Sequence, residues 1–199
     1  MKKTIDYYND SAEKWAEEWY TNESVLPYLK HLMKLLPQNP TVVDLCCGAG
    51  YESMRLKNLG ANVIGLDLSE KSIEIAKQKN PQISFYVQDV LQDYSYIGVA
   101  DGLICVAGLI HLENDKLSLA FENMHKVLKK NAYTLIVVRE GEGKREQSSF
   151  VTYNNVEYDR NFICHTLEEL KTYSKNMFEF VEELEQQGDW RYYIFKKVN

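Results

Sequence analysis

The stretch Thr41-Val-Val-Asp44-Leu-Cys-Cys-Gly48-Ala-Gly50 decides the fold of this 199-residue chain. Residues 41–46 form a short apolar run, which predicts a buried strand. The glycines that follow allow a sharp turn and a close approach of the backbone to a ligand. The pattern then predicts a helix that ends near Gly60, so that a strand, a glycine turn and a helix follow one another.

Short apolar runs and amphipathic segments continue to alternate along the chain, which is typical of a sheet covered by helices on both faces. Further strands are predicted at residues 62–67, 83–87, 101–106, 133–138, 178–184 and 190–198. The short connection between the last two predicts a hairpin. We therefore expect one α/β domain over residues 1–199, with a doubly wound and mostly parallel sheet.

Helix start signals separate these strands. Helices are predicted over residues 10–19 with Asp10 or Ser11 as the cap, from Ser24 to Pro37, after Ser69, from Asn114, and after Thr166. Residues 141–155 are polar and carry no such signal, so residues 141–165 are interpreted as a possible lid. Residues 1–37 are interpreted as a helical cap, and residues 41–140 as the core that binds a ligand.

The composition restricts the class of protein. The formal net charge is -6 and 45% of the residues are hydrophobic, which argues against a nucleic-acid partner and for a full apolar core. The chain has no apolar stretch long enough to span a bilayer and no signal peptide at its start, so we expect a cytoplasmic protein without a membrane partner. A monomer and a homodimer are both compatible with the sequence.

The four cysteines do not have the spacing of a zinc site or a disulfide framework. Cys46 and Cys47 are neighbours, whereas Cys105 and Cys164 stand alone. We expect reduced cysteines that pack as small apolar residues, and no bound metal.

Three predicted strands lead into an aspartate at or near their carboxyl ends: Asp44, Asp67 and Asp89. Ligands of a doubly wound sheet bind outside the carboxyl ends of its strands, so the three carboxylates are expected around one crevice. Each aspartate alone could equally serve a turn or a helix cap. Three of them in successive positions favour a ligand site.

Two ligands are compatible with such a crevice. A dinucleotide is the rival, since Asp67 lies where ribose hydroxyls are held. However, the third small position of the glycine run is Ser53, and Asp44 would repel a pyrophosphate beside it. S-adenosylmethionine carries a sulfonium and an ammonium instead of phosphates, so the charge of Asp44 favours it.

The same stretches resemble the motifs of class I S-adenosylmethionine-dependent methyltransferases. Residues 43–50 are similar to the first motif, with Cys46 where the family usually has a glycine. Residues 62–69, 84–90 and 101–112 resemble the second, third and fourth motifs in order. This resemblance implies that the last strand is antiparallel and inserted beside the fifth, in a seven-stranded sheet.

The resemblance also implies which residues bind the cofactor. Asp67 would hold the ribose hydroxyls, Asp89 and Val90 would contact the adenine, and the fourth strand would pass beneath the methyl group. The residues expected at the cofactor on this basis are Asp44, Cys46, Gly48, Gly50, Asp67, Leu68, Asp89, Val90, Val106 and Tyr20. Tyr8 is the alternative to Tyr20 on the cap, and both could instead serve packing.

His111 lies just after the fourth predicted strand and is the candidate general base. It could instead only hydrogen-bond within its loop. Arg139 could anchor an anionic acceptor and Glu140 or Glu142 a cationic one, although these side chains could also be solvated. His165 is a weaker candidate on the lid side.

Within the family, residues 138–143 together with His111 resemble a generic or tellurite-resistance-like branch, which favours a small-molecule acceptor. The expected reaction is an in-line transfer of the methyl group. Two alternatives stay open, an oxidoreductase that uses NAD(P) and a non-catalytic protein that binds S-adenosylmethionine.

Overall fold

The computed structural model describes residues 1–198 and, within them, every side chain except those of Glu146 and Gln147. The α-helices of this part are α1 Thr4–Asp10, α2 Ala12–Tyr20, α3 Leu26–Leu35, α4 Tyr51–Asn58, α5 Glu70–Lys79, α6 Asn114–Lys126, α7 Glu146–Ser149 and α8 Leu167–Tyr173. Within residues 1–198, no helix is both long enough and apolar enough to cross a membrane.

The strands alternate with these helices, as the sequence predicts. They are β1 Lys2–Lys3, β2 Thr41–Leu45, β3 Asn62–Asp67, β4 Ser84–Val87, β5 Ala100–Val106, β6 Leu128–Arg139, β7 Gly143–Lys144, β8 Phe150–Tyr153, β9 Val156–Asp159, β10 Ile163–Cys164, β11 Phe178–Glu183 and β12 Trp190–Lys197.

Seven of the strands form the central sheet, in the order β11-β12-β6-β5-β2-β3-β4. All neighbours from β6 to β4 are parallel, whereas β12 is antiparallel to both β6 and β11. The predicted seven-stranded sheet with one antiparallel strand beside the fifth strand of the parallel series is therefore confirmed. Because β2 lies at the centre, the turn that follows it opens at the middle of the carboxyl edge.

Apolar side chains fill both faces of the sheet, because the parallel strands are covered on each side. On one face, α6 packs Leu117, Phe121 and Met124 into a cluster with Leu45 of β2. On the other face, Leu29 and Leu32 of α3 pack against Val42 and Ile104. Burial of both faces fixes the register of the strands and thereby the positions of the loops at their ends.

The amino-terminal helix is predicted wrongly in its bounds. The prediction has one helix over residues 10–19, whereas the structure has α1 and α2 with a break at Ser11. Ser11 is the N-cap residue of α2, as predicted, but its side chain makes no cap hydrogen bond and its hydroxyl donates at 2.6 Å to the Tyr7 carbonyl. The prediction of Asn114 as a cap is also corrected, since Glu113 is the N-cap and Asn114 is the first helical residue.

The segment predicted as an irregular lid contains regular structure. The β8–β9 hairpin turns at Asn154 and Asn155, both with positive φ, as two-residue hairpin turns require. Strand β9 then pairs in parallel with β1, so that the chain start and the hairpin share a three-stranded sheet. We refer to residues 1–10 and 150–159 together as the composite cap.

Candidate functional site

The loop between β2 and α4 depends on glycine. Gly48 and Gly50 have φ of 52° and 82°, in the left-handed region that side chains rarely adopt. A Cβ atom on Gly50 would also lie 2.8 Å from the Phe85 ring. Glycine therefore gives this loop a path that a side chain would block, while the Gly48 amide donates to Asp67 and the Gly50 amide to the Cys47 carbonyl.

Asp67 lies beside this glycine loop at the carboxyl end of β3. Its Oδ2 accepts the Gly48 amide proton at 2.9 Å, and its Oδ1 accepts the Ser69 amide proton at 2.8 Å. These bonds hold the carboxylate against the loop. Burial raises the pKa of Asp67 above its usual value, and the amide donors oppose that shift.

Asp44 is buried behind the same loop. The Ser53 hydroxyl donates a 2.6 Å hydrogen bond to its Oδ2, which explains why a serine follows the glycines. Burial raises the pKa of Asp44 to about 8. Among residues 1–198, neither Asp44 nor Asp67 has a lysine or arginine within ion-pair distance.

Two carboxylates beside a glycine loop, one buried and one half-buried, and neither paired with a lysine or arginine among residues 1–198, match a ligand with a positive charge. Bringing a cation next to Asp44 would restore the charged form that burial disfavours. A pyrophosphate would add negative charge at the same place. The sulfonium and ammonium of S-adenosylmethionine therefore fit these residues, and a dinucleotide phosphate does not.

The other predicted cofactor residues lie along the same edge. Asp89 accepts the Leu91 amide proton at 2.9 Å, and the buried Val90 holds Asn123 through its carbonyl. Leu68 is exposed, and Val106 is half-buried at the end of β5. These residues therefore line the carboxyl ends of β3, β4 and β5.

Cys46 occupies a strained position in the loop. Its φ is 61°, in the left-handed region that favours glycine, and such a conformation costs a non-glycine residue about 1 kcal/mol or more. Its thiol lies next to that of Cys105, and this contact together with burial raises the pKa of Cys46. All four cysteines of the chain are free thiols.

Tyr20 supports the glycine loop from outside. Its hydroxyl donates to the Ala49 carbonyl at 2.7 Å and accepts from the Asn80 side chain at 2.7 Å. Arg55 adds a 2.7 Å bond to the Trp19 carbonyl, which ties α2 to α4. The Tyr20 hydroxyl is thus engaged in holding the loop in shape.

His111 is held in one tautomer by its partners. Its Nδ1 lies 3.1 and 3.2 Å from the carbonyl oxygens of Arg160 and Asn161, which can only accept. Nδ1 therefore carries the proton, and Nε2 accepts the Tyr8 hydroxyl proton across 2.9 Å. Burial lowers the pKa of His111 to about 4, so the imidazole is neutral at physiological pH.

The composite cap is docked on both sides of the crevice. Asn9 accepts hydrogen bonds from the Ser69 hydroxyl at 2.7 Å and the Lys71 amide at 3.3 Å, at the start of α5. Tyr158 of the hairpin donates to Asp10 at 2.6 Å. Sequence reasoning missed these contacts, because no local pattern reports a partner about 60 or 150 residues away.

The residues considered as contacts of the methyl acceptor have different surroundings in the structure. Arg139 is bound to Asp189, and Glu140 to Arg191, so both have partners on the β11–β12 hairpin. His165 is fully buried between Asn114 and the Leu109 carbonyl. Its surroundings are those of a packed residue away from the glycine loop.

Comparisons with known proteins agree with this geometry. A family model described as a methyltransferase domain matches residues 42–131. A putative methyltransferase of Bacillus subtilis (strain 168) is 33% identical over 117 residues, which cover 56% of this chain and 47% of that protein. The chain thus spans about half the length of this curated relative.

Solved structures share the fold at low sequence identity. The 1,6-didemethyltoxoflavin-N1-methyltransferase of Burkholderia thailandensis, crystallised with 1,6-didemethyltoxoflavin and S-adenosylhomocysteine, has a TM-score of 0.74 at 17% identity, covering 98% of this chain and 87% of that one. A TehB-like S-adenosylmethionine-dependent methyltransferase of Corynebacterium glutamicum has a TM-score of 0.71 at 18% identity, covering 96% and 98%.

The ordered motifs, the sheet topology, the carboxylates at the glycine loop and the match of residues 42–131 to a methyltransferase domain all agree. The chain is thus similar to class I S-adenosylmethionine-dependent methyltransferases in its motifs and its fold.

Proposed function

We propose that the protein transfers the methyl group of S-adenosylmethionine in line to a small-molecule acceptor. The observation that carries the proposal is the pair of carboxylates beside the glycine loop, the buried Asp44 and the half-buried Asp67, without a cationic partner in the described chain. When bound, the cofactor supplies an electrophilic methyl group on a positively charged sulfur.

The residues that would hold the cofactor follow from the edge of the sheet. Asp67 would bind the ribose hydroxyls, and the loop at Gly48 and Gly50 would border the amino-acid part. Asp89 and Val90, with Leu68, would border the adenine. Asp44 would act through its charge, since its carboxylate is already bonded to Ser53.

The methyl acceptor would bind on the side of the crevice opposite Asp67, near Tyr8 and His111. The Tyr8 oxygen has a lone pair left after donating its proton to His111, so it can accept a hydrogen bond from an acceptor hydroxyl. As the acceptor loses its proton to Tyr8, the Tyr8 proton moves to Nε2 of His111. The composite cap would exclude water from this region.

Two observations support a small acceptor. The net charge of -6 gives no general attraction for nucleic acid. The composite cap also contacts both the start of α5 and the His111 loop, which leaves little width for a folded partner. The Burkholderia relative in the fold comparison is likewise crystallised with a small heterocycle.

Calorimetric titration with S-adenosylhomocysteine tests the cofactor half of the proposal, with NADH titrated in parallel. We expect micromolar binding of S-adenosylhomocysteine and none of NADH. Folded protein that binds NADH and not S-adenosylhomocysteine would contradict the proposal and restore the dinucleotide interpretation. An acceptor screen that detects S-adenosylhomocysteine release then separates an enzyme from a protein that only binds the cofactor.

Cofactor binding is also expected to release a proton from Asp44. With a pKa of about 8 in the free protein, this group is mostly protonated at neutral pH, and a bound cation favours its charged form. The affinity for S-adenosylmethionine should therefore rise with pH between about 6 and 7.5, by up to about tenfold per unit.

Titration in two buffers with different ionisation enthalpies measures this proton directly. Asp44→Asn cannot titrate, so its binding should release no proton and lose the dependence on pH. Asp93→Asn is the matched control, because Asp93 is exposed and accepts a hydrogen bond from Ser95. Equal proton release by wild type and Asp44→Asn would show that another group is responsible.

A further inference from the structure

We propose that the methyl acceptor carries a carboxylate and that the Arg160 side chain binds it. This inference rests on the proposed function, since it names the class of molecule that would occupy the acceptor side of the same site. Arg160 belongs to the lid segment, directly after β9.

Arg160 differs from every other arginine of the chain. Arg55 pairs with Glu52, Arg139 and Arg145 both pair with Asp189, and Arg191 pairs with Glu140 and Glu183. The Arg160 guanidinium has no carboxylate within ion-pair distance among the residues whose side chains are described. Its Nε donates to the Ser148 carbonyl at 2.6 Å, and its two terminal nitrogens make no hydrogen bond within that set.

The surroundings hold this guanidinium in place. Its central carbon lies 5.3 Å from the centre of the Tyr7 ring and 5.2 Å from that of Phe162, so two aromatic side chains flank it. Cation–π contacts of this kind orient the plane of the group without neutralising its charge. The four N–H groups on its terminal nitrogens are therefore available to a ligand.

Arg160 also lies at the proposed acceptor side. Its carbonyl oxygen is one of the two groups that fix Nδ1 of His111, and His111 in turn bonds Tyr8. Burial is the main cause of the raised pKa of Tyr8 and of the lowered pKa of His111, and the Arg160 charge acts on both groups. An acceptor whose hydroxyl meets Tyr8 would thus bring its other end near the guanidinium.

The chemistry of the site selects a carboxylate on a planar molecule. A guanidinium binds a carboxylate through two parallel hydrogen bonds, and the flanking rings of Tyr7 and Phe162 suit an aromatic skeleton. Arg139, the anion anchor considered from the sequence, is already bound to Asp189. We therefore infer an aromatic hydroxy acid, held by its carboxylate at Arg160 and methylated on its hydroxyl.

The test compares matched acids and amides. The protein and S-adenosylmethionine are incubated with the ortho, meta and para hydroxybenzoic acids and with the corresponding hydroxybenzamides, which keep the shape and lose the charge. Release of S-adenosylhomocysteine gives kcat/KM for each. Binding of each compound to the complex with S-adenosylhomocysteine is measured by calorimetry, so that affinity is known even for compounds that are not methylated.

We expect at least one acid to bind, and its kcat/KM should exceed that of its amide by about tenfold or more, as a charge-assisted pair predicts. Arg160→Gln should remove this preference mainly through KM, and Arg160→Lys should keep part of it. Because the Arg160 carbonyl remains in both variants, the bond to His111 is preserved. Arg191→Gln, a change at a paired arginine, should leave the preference intact.

Three results would overturn the inference. The first is equal binding of acids and amides, the second is a preference that survives in Arg160→Gln, and the third is no binding of any acid to the complex with S-adenosylhomocysteine. Failure of S-adenosylhomocysteine itself to bind is a different outcome, because it rejects the proposed function rather than the acidic acceptor. Melting temperatures of the variants check that each one folds.

Discussion

Asp67→Ala is expected to weaken S-adenosylhomocysteine binding by about a hundredfold or more, because two charge-assisted bonds to the ribose would be lost at once. The same change removes the acceptor of the Gly48 amide, which positions the glycine loop. The loop would then have to be ordered by the ligand itself. Calorimetry measures the loss, and circular dichroism shows whether the fold is retained.

Two further variants make the result interpretable. Asp67→Asn keeps the shape and one acceptor oxygen but not the charge, so its affinity should lie between those of the wild type and Asp67→Ala. Asp93→Ala removes an exposed aspartate that accepts a hydrogen bond from Ser95, and it should bind the ligand like the wild type. Affinity of folded Asp67→Ala within a few-fold of wild type would contradict the role of Asp67.

The central sheet could be predicted because its signals are local. The run at residues 62–67 is apolar and bounded by a glycine before it and a serine cap after it, and β3 has these bounds in the structure. The order of the strands came instead from the resemblance of four motifs. Once burial on both faces fixes the register, Asp44 and Asp67 reach the same edge without further information.

The composite cap could not be predicted in the same way. Strand β1 has only Lys2 and Lys3, both exposed, and its pairing with β9 joins residues about 155 positions apart. The β8–β9 hairpin did carry a local signal, because Phe150, Val151 and Tyr153 are strand-forming residues before the turn at Asn154 and Asn155. The pairing of β9 with β1, in contrast, is a tertiary contact that no sequence pattern reports.

The roles of Arg139 and Arg160 also depend on tertiary contacts. From the sequence, Arg139 is the candidate anchor for an anionic acceptor, and no pattern points to Arg160. In the structure Asp189 binds Arg139, whereas Arg160 lies beside Tyr7 and Phe162. The helix break at Ser11 was missed as well, and there the Ser11 hydroxyl donates to the Tyr7 carbonyl and makes no cap bond to α2.

His111→Gln and Tyr8→Phe are each expected to lower kcat by about a hundredfold for an acceptor that must lose a proton, which is the usual range for general-base catalysis. The two residues share one hydrogen bond, so they should act as a unit. The double variant should therefore be little worse than either single variant. S-adenosylhomocysteine affinity should change little, since neither group is proposed to hold the cofactor.

The pH profile of kcat at saturating substrates distinguishes this role from a structural one. Because the pKa of His111 in the folded protein is about 4, its Nε2 stays free to accept a proton as the pH falls from 8. The value of kcat should therefore fall only as the pH approaches the His111 pKa of about 4. A decline centred on the ordinary histidine value would contradict the assignment.

The sensitivity of the two variants to the acceptor itself gives the strongest evidence on this role. A base matters less as the acceptor hydroxyl becomes more acidic, so the loss in His111→Gln and Tyr8→Phe should shrink from phenol to nitrophenol acceptors. His125→Gln is the matched control, because its Nε2 contacts only the Val198 carbonyl at the far end of the sheet. A loss that is the same for every acceptor would mean that Tyr8 and His111 only shape the loop, since a packing defect does not depend on the acidity of the substrate.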